Sequence, residues 1–388
     1  MIPYIEVRDK TTKLQKCLIT PIDCFFELTY YGVGEFLVKC LLDDTVLNDV
    51  QMGDFLTIPN KQYIFTINSL KPSYDAENGY IMTLAGKQAK NILSQRVINN
   101  AKVLSTSLAS AVNGLILDNA GANASAERNM NIEVVSSSVN ETIEETQATV
   151  GDLLEFTDNL LKTKECGSEL FIENNSLKYR VYKGQDRSEF VIFSQSFDNL
   201  ASCEYMEDDT EEKTCVLVES EGVFQEYNSN SNAKGLDRKE MYFESSVSPN
   251  YTNSQGVEVE LNLTNSTDLA TFKKFLNEDG KEQLTNYKVT KSFNGTIDTS
   301  NNKYKFGVDF NLGDKVKVQD EYLKIYIIHR IIKFTFSQNQ QVYSELVEVE
   351  SWGDIYGLYK SRCWGSHCYK GRFNWIWFYR YNKVDNDS

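Results

Sequence analysis

Hydrophobic and polar residues alternate with a period of two along much of this chain, and Gly, Asn or Asp breaks the alternation at short intervals. That rhythm predicts half-buried strands joined by tight turns. Residues 24–30 and 34–41 carry it on either side of the turn Tyr31-Gly32-Val33-Gly34. Further on, one order of features occurs twice. Gly53-Asp54 opens a short strand over 55–58, followed by strands over 63–67 and 80–84. Gly313-Asp314 opens 315–318, followed by 323–327 and 343–349. Each unit has a Gly-Asp turn, a short strand, a tight link, a longer strand, a second turn and a closing strand. The expectation is two similar β-barrel-like units, with Gly53 and Gly313 in equivalent turns and Asp54 and Asp314 beginning equivalent strands. Two such units per chain let three chains close a ring of six, so the repeat points to assembly rather than catalysis.

The period changes to a helical one in four places. A helix of roughly ten residues is expected from Lys87, with Ile92 and Leu93 as apolar contacts. Residues 107–119 place Leu108, Val112, Leu115 and Ile116 at helical spacing. Thr149 is positioned to cap a third helix with Leu153, Phe156, Leu160 and Leu161 on one face and Gly167 as its stop. Ser266 or Thr267 caps a fourth, which contains Leu269, Phe272, Phe275 and Leu276 and is expected to end at Asp279-Gly280. Residues 169–173 and 177–182 around Asn174-Asn175-Ser176 read as a hairpin. Further strands are expected over 190–193 and 215–218. The fold class is therefore mainly β with α+β insertions. The expected domains are a first β-barrel-like domain over 1–98, an α+β domain over 99–188, a second β-barrel-like domain with a helical insertion over 189–352, and an aromatic, basic C-terminal tail over 353–388.

Length and composition narrow the function. A chain of 388 residues holds two to four domains, and 5 prolines argue against long disordered linkers. No apolar run reaches the ~18 residues that span a bilayer, and the start Met1-Ile2-Pro3-Tyr4-Ile5-Glu6 has no secretory signal. A cytosolic site of synthesis follows as an expectation. The eight cysteines, without a CxxC pair, read as small buried apolar residues. The net charge of −15 argues against stable nucleic-acid binding, which needs concentrated Lys and Arg. The charge is uneven: the tail from Gly353 carries +3 and the body −18. An acidic body repels DNA, which suits a wall past which DNA slides.

Catalytic chemistry has little to stand on. His329 lies in an apolar strand, where a lone histidine reads as structural, and no nucleophile motif surrounds it. Cys363, His367 and Cys368 supply three potential zinc ligands, but a fourth is missing and the spacing matches no zinc finger. The acidic run Glu207-Asp208-Asp209 with Glu211-Glu212 lacks the alternation and central glycine of a calcium loop and reads as a solvated hairpin tip. Neither a Walker loop nor a Rossmann fingerprint occurs. No catalytic, cofactor-binding or metal residue is assigned, and no cofactor is expected.

Five segments carry a family resemblance, in matching order and spacing: Leu84 to Ile98, Tyr182 to Arg187, Val191 to Leu200, Gly235 to Glu244 and Asp309 to Asp314. Together they resemble the ReqiPepy-type siphophage tail-hub proteins of viruses infecting Gram-positive bacteria, over about residues 20 to 352. The resemblance implies a tail-hub fold in which two similar barrels per chain form a pseudo-sixfold ring from a homotrimer. It implies a six-fold tail ring or tube above, tip or spike proteins below, and a virion tail tip or baseplate assembled in the bacterial cytoplasm. Genome ejection would pass through this hub. The family is shared by phages and phage-derived bacteriocin particles, and it has no catalytic motif to carry over. The Trp-rich tail departs from the family pattern, as an extension or as the product of an altered reading frame.

The favoured reading is a non-enzymatic hub, a trimeric adaptor and channel wall. The tail, holding all 4 tryptophans but for Trp352 at its border, is expected to dock on its own trimer or on a tip neighbour. The alternatives are a tail-associated peptidoglycan-degrading enzyme, separable by a turbidity assay on cell walls, and a carbohydrate-binding adhesin, separable by a glycan array.

Overall fold

The computed structural model describes all residues except 1, 3, 59–61, 77–78, 298–302, 323–324, 340–342 and 352–388. The segment from Gly353 to Ser388, with Cys363, His367, Cys368 and the expected docking of the tail, therefore lies outside the described residues.

The first β region holds β1 (Ile5–Arg8), β2 (Gln15–Ile19), β3 (Pro21–Thr29), β4 (Glu35–Leu41), β5 (Phe55–Thr57), β6 (Ile64–Asp75) and β7 (Gly79–Gln88). A middle region follows, with α1 (Leu108–Asn119), β8 (Ile132–Val134), α2 (Leu153–Lys162), β9 (Gly167–Glu173) and β10 (Ser176–Tyr182). The chain then returns to β with β11 (Ile192–Ser194) and β12 (Leu200–Asp208). An insertion holds β13 (Cys215–Ser220), β14 (Val223–Asn228), β15 (Glu240–Glu244) and α3 (Ser266–Leu284). Closing the described chain are β16 (Thr290–Ile297), β17 (Lys315–Asp320), β18 (Ile325–Gln338) and β19 (Tyr343–Ser351).

The protein is mainly β. Among the described residues its largest sheet has 13 strands in the order β12-β16-β19-β18-β3-β4-β7-β6-β5-β1-β2, and β18 also carries β17, which pairs with β11. This sheet does not close into a barrel among the described residues. The two β regions are continuous with each other, because residues 24–29 of β3 lie antiparallel to residues 333–338 of β18. On either side of that joint the same order is found, β3-β4-β7-β6-β5-β1 and β12-β16-β19-β18-β17-β11. The two differ at the end of the series: β1 runs antiparallel to β5, and β11 parallel to β17.

Alternation along these strands buries one face. In β17 the pattern puts Val316 and Val318 inside, and in β4 it puts Phe36, Val38 and Cys40 inside. The resulting core draws on both β regions, from Ile2 to Leu84 and from Val191 to Val349. At the joint, Phe26 stacks on Phe36 at 5.9 Å and on Phe336 at 5.0 Å, and meets Phe65 at 5.2 Å. Such offset and tilted pairs add to the gain from burial itself. A second core packs α1, α2 and the β9–β10 hairpin. The third sits inside the insertion, where Phe272, Phe275 and Leu276 of α3 cover Val216 and Val218.

Several local expectations are met and others corrected. The helix over 107–119 forms, with Ser107 capping Ser110 N. The β9–β10 hairpin forms, and Asn174 and Asn175 take the positive φ values, 51° and 59°, that a two-residue hairpin turn requires. After β7 the chain makes a 3-10 segment over Ala89–Gln95 instead of an α-helix. The cap of α2 is Asp152, which accepts from Glu155 N, not Thr149. Gly167 does not stop that helix. The left-handed turn falls at Glu165, and Gly167 begins β9 against the ring of Tyr30. Nor does α3 stop at Gly280; it runs on to Leu284. A Cβ at Gly280 would lie 2.7 Å from Val218, so this glycine serves close helix–strand approach.

Candidate functional site

The two Gly-Asp turns are built from the same bonds. Gly53 and Gly313 have φ of 86° and 85°, a region that glycine enters without cost to a side chain. Gly53 N donates to Ile67 O at 2.7 Å, and Ile67 N returns a bond to Asp54 O at 2.9 Å. The second turn repeats this: Gly313 N donates to Ile331 O at 2.8 Å, and Ile331 N to Asp314 O at 2.9 Å. The side chains repeat as well. Asp54 accepts from Gln51 N at 3.0 Å and Lys10 N at 3.1 Å; Asp314 accepts from Asn311 N at 2.9 Å and Gln185 N at 2.7 Å. Both aspartates are buried, and a buried carboxylate is stable only when such donors satisfy it. Asp54 also meets Lys16 at 3.0 Å. Each turn thus pins the strand after it to the bulged strand beyond.

Around the second turn lies a junction of three segments that the sequence does not mark. Tyr30, just past β3, is fully buried. Its hydroxyl lies 3.1 Å from the Glu165 carbonyl and 3.2 Å from the Tyr182 carbonyl, and accepts from Gly184 N at 3.4 Å. A Cβ at either Gly167 or Gly313 would fall 2.4 Å from its ring, and one at Gly184 would strike the Gly313 carbonyl. The Arg330 guanidinium lies over the same ring, 5.7 Å from its centre, and donates to Gly313 O and to Glu165 at 2.7 Å. Lys315 reaches Glu165 at 3.0 Å. Burial pushes the Glu165 carboxyl up, but the hydrogen bonds from Arg330 and Lys315 outweigh it and hold the pKa below its usual value. First β region, middle region and second β region are thereby locked at one point.

The other candidates are dispersed. His329 is buried in β18, where burial pushes its pKa down to about 4. Neither ring nitrogen has a hydrogen-bond partner among the described residues, so no base–nucleophile pair is built on it. Cys17, Cys24, Cys40, Cys166 and Cys215 are buried thiols, and Cys203 is half-buried. In the acidic loop, Asp209 and Glu212 pair with Lys239 at 2.7 and 2.8 Å, and Asp208 accepts from Thr210. Among the described residues no group of three His, Cys, Asp or Glu is gathered as metal ligands would be. A polar cleft of about 640 Å³ is lined by Asn99, Lys102, Asp118, Arg128 and Thr252. Its charges are engaged within the wall: Lys102 with Asp118 at 2.7 Å, Arg128 with Asn119 at 3.1 Å.

Comparison with known proteins gives a consistent picture. The family described as Siphovirus ReqiPepy6 Gp37-like protein matches residues 4–349. The fold is similar to the tail protein from Neisseria meningitidis MC58, with a TM-score of 0.52 and 11% identity over 90% of this chain and 96% of that one. It is equally similar to the 43 kDa tail protein of prophage MuSo2 from Shewanella oneidensis, with a TM-score of 0.52 and 10% identity over 89% and 98% of the two chains. No curated protein matches the sequence. No helix among the described residues is long and apolar enough to cross a membrane.

Proposed function

The chain belongs to the Siphovirus ReqiPepy6 Gp37-like protein family, and on that premise we propose that this structural tail protein is the central hub of a tail tip or baseplate. Three copies form the hub. Each contributes two similar barrel-like units, so that the ring presents six to a six-fold tail ring or tube above and three chains to tip or spike proteins below. Gly53-Asp54 and Gly313-Asp314 are the equivalent turns of those units. The single observation that carries this reading is the repeated strand order, β3-β4-β7-β6-β5-β1 and β12-β16-β19-β18-β17-β11, with the same bonds around both turns. A chain with an internal duplication converts threefold into pseudo-sixfold symmetry, which is what an adaptor between a six-fold tube and a narrower tip needs.

The hub is non-enzymatic and lines the channel. Its body of −18 charge keeps passing DNA from adhering. It assembles in the host cytoplasm and is carried at the tail tip. The copy number per assembled particle tests the proposal, by quantitative mass spectrometry against a tube protein or by imaging. Three copies are expected; one or six would sink it.

A further inference from the structure

Several stretches of sheet edge lack a neighbouring strand among the described residues, and two of them stand at matching places in the repeated order. β12 ends the large sheet and is bonded to β16 on one side. In β6, β5 occupies the outer side only over residues 64–66, while residues 69–74 have β7 on the inner side alone. Exposed edges of this kind leave backbone N–H and C=O groups ready for another strand. In the repeated order, β12 stands where β3 stands and β6 where β18 stands. Within the chain, β3 and the distal half of β18 are joined. The irregularities coincide too: β18 bulges between Ile331 and Lys333 and β6 between Ile67 and Ser69; β3 bulges between Pro21 and Asp23 and β12 between Leu200 and Ser202.

We propose that β12 of one chain pairs antiparallel with residues 69–74 of β6 in a second copy of this chain, repeating between chains the joint that β3 and β18 make within one. This names the chain-to-chain contact of the trimeric hub and rests on that reading. The register follows from the bulges. Lys333, first after the β18 bulge, faces Thr29, six residues beyond Asp23. Ser69, first after the β6 bulge, then faces Asp208, six residues beyond Ser202. Lys71 comes opposite Met206 and Ser73 opposite Glu204. On the other face Leu70, Pro72 and Tyr74 come opposite Glu207, Tyr205 and Cys203.

The chemistry of the two edges agrees with this register. Leu70, Cys203 and Tyr205 are half-exposed at the margin of the first core, so the joint covers apolar surface that one chain leaves open. On the outward face of the internal joint, Lys333 pairs with Glu27, one step diagonal from Thr29, at 3.4 Å. In the proposed joint Lys71 lies between the diagonal carboxylates Glu204 and Asp208, within reach of a long side chain. Pro72 adds a difference. Tyr30 N donates to Ile332 O, which makes residues 334, 336 and 338 the ones that bond directly across to β3. Pro72 occupies the place of Phe336 and has no N–H, so the chain-to-chain ladder has one bond fewer than the internal one. In an unassembled chain the same proline discourages uncontrolled strand addition.

Cross-linking on the full chain tests the pairing. Lys71 and Met206 are exposed and would form a non-hydrogen-bonded pair, with Cα atoms about 4.5 Å apart, inside the disulfide range. In assembled tails, Lys71→Cys/Met206→Cys is expected to give linked chains up to a trimer on a non-reducing gel. Each single variant stays unlinked, and so does Lys71→Cys/Glu207→Cys, which puts one thiol on the opposite face. Three copies without linked chains, or equal linking by the Glu207 control, would overturn the pairing and leave the trimeric hub standing. Linked chains at another copy number would keep the pairing and remove the trimer. A second variant, Lys71→Glu, places a like charge between Glu204 and Asp208 and is expected to lower the urea concentration at which assembled hubs separate; an unchanged value counts against the register.

Discussion

The two Gly-Asp turns share their backbone bonds and differ in what surrounds them. Next to Gly53, among the described residues, stands only the flexible side chain of Lys10, 3.2 Å from where a Cβ would be. Next to Gly313 stand the ring of Tyr30 at 2.4 Å and the backbone of Gly184. Asp54 has a cationic partner in Lys16, whereas Asp314 is held by the N–H groups of Gln185 and Asn311. The comparison teaches that the conformation of a turn is set locally and can be used twice, while its sensitivity to change is set by its neighbours. One turn lies at the periphery of the first β region, the other at the junction where three segments meet.

The largest expected effect is a contrast between two glycine substitutions. Gly53→Ala meets the left-handed backbone cost and a movable lysine, and is expected to destabilise by about 1 kcal/mol. Gly313→Ala adds overpacking against a buried ring that has nowhere to go, for about 3–4 kcal/mol in all. Urea unfolding of both variants checks this, and equal losses would break the comparison.

Next come the aspartates. Asn in either place turns an amide N–H₂ toward a backbone donor and loses a charge-assisted bond, which costs about 2 kcal/mol. Asp54→Asn also strands Lys16 and is expected to cost about 1 kcal/mol more than Asp314→Asn. That excess should vanish in a Lys16→Met background, so a double-mutant cycle sharpens the contrast. An excess that survives the lysine's removal would show that charge pairing is not what separates the two turns.

The smallest effect concerns pH at the junction. Glu165 has a lowered pKa in the folded chain, from Arg330 and Lys315 acting against burial. Its carboxylate therefore adds stability above the usual glutamate range, and that increment is lost as the pH falls through the depressed folded value. Because Glu165 is 39% exposed, solvent screening holds the increment to about 1 kcal/mol. Glu165→Gln is expected to lose that much at pH 7 and to show a shallower decline in stability toward acid. An unchanged acid slope would mean that Arg330 holds the junction through Gly313 O and Tyr30 alone.

Much of the strand content is legible along the chain because alternation records which side chains are buried, and β4 and β17 show it plainly. The helix at Leu108–Asn119 and the Asn174-Asn175 hairpin turn are likewise local matters of period, cap and φ. Two glycines carry a signal that their tertiary role overrides. Gly167 and Gly280 look like helix stops, yet each is small because Tyr30 or Val218 lies against it. The junction left no local trace: Tyr30 follows an ordinary strand, and its partners Glu165, Tyr182 and Gly184 are more than a hundred positions away.

By itself the sequence determined that this protein is mainly β, where about half of its described strands and its three longer α-helices lie, and that a Gly-Asp pair stands twice before a short apolar strand. Only the tertiary structure decided that β3 lies beside β18, that both β regions share one core, and that Lys10 and Gln185 supply the distant donors for Asp54 and Asp314. The reason is physical. Burial is written in side chains, which differ from residue to residue, whereas strands join through backbone N–H and C=O groups that are alike everywhere. A strand therefore announces which face goes inside, but which strand becomes its neighbour depends on edges, bulges and packing that exist only once the chain has folded.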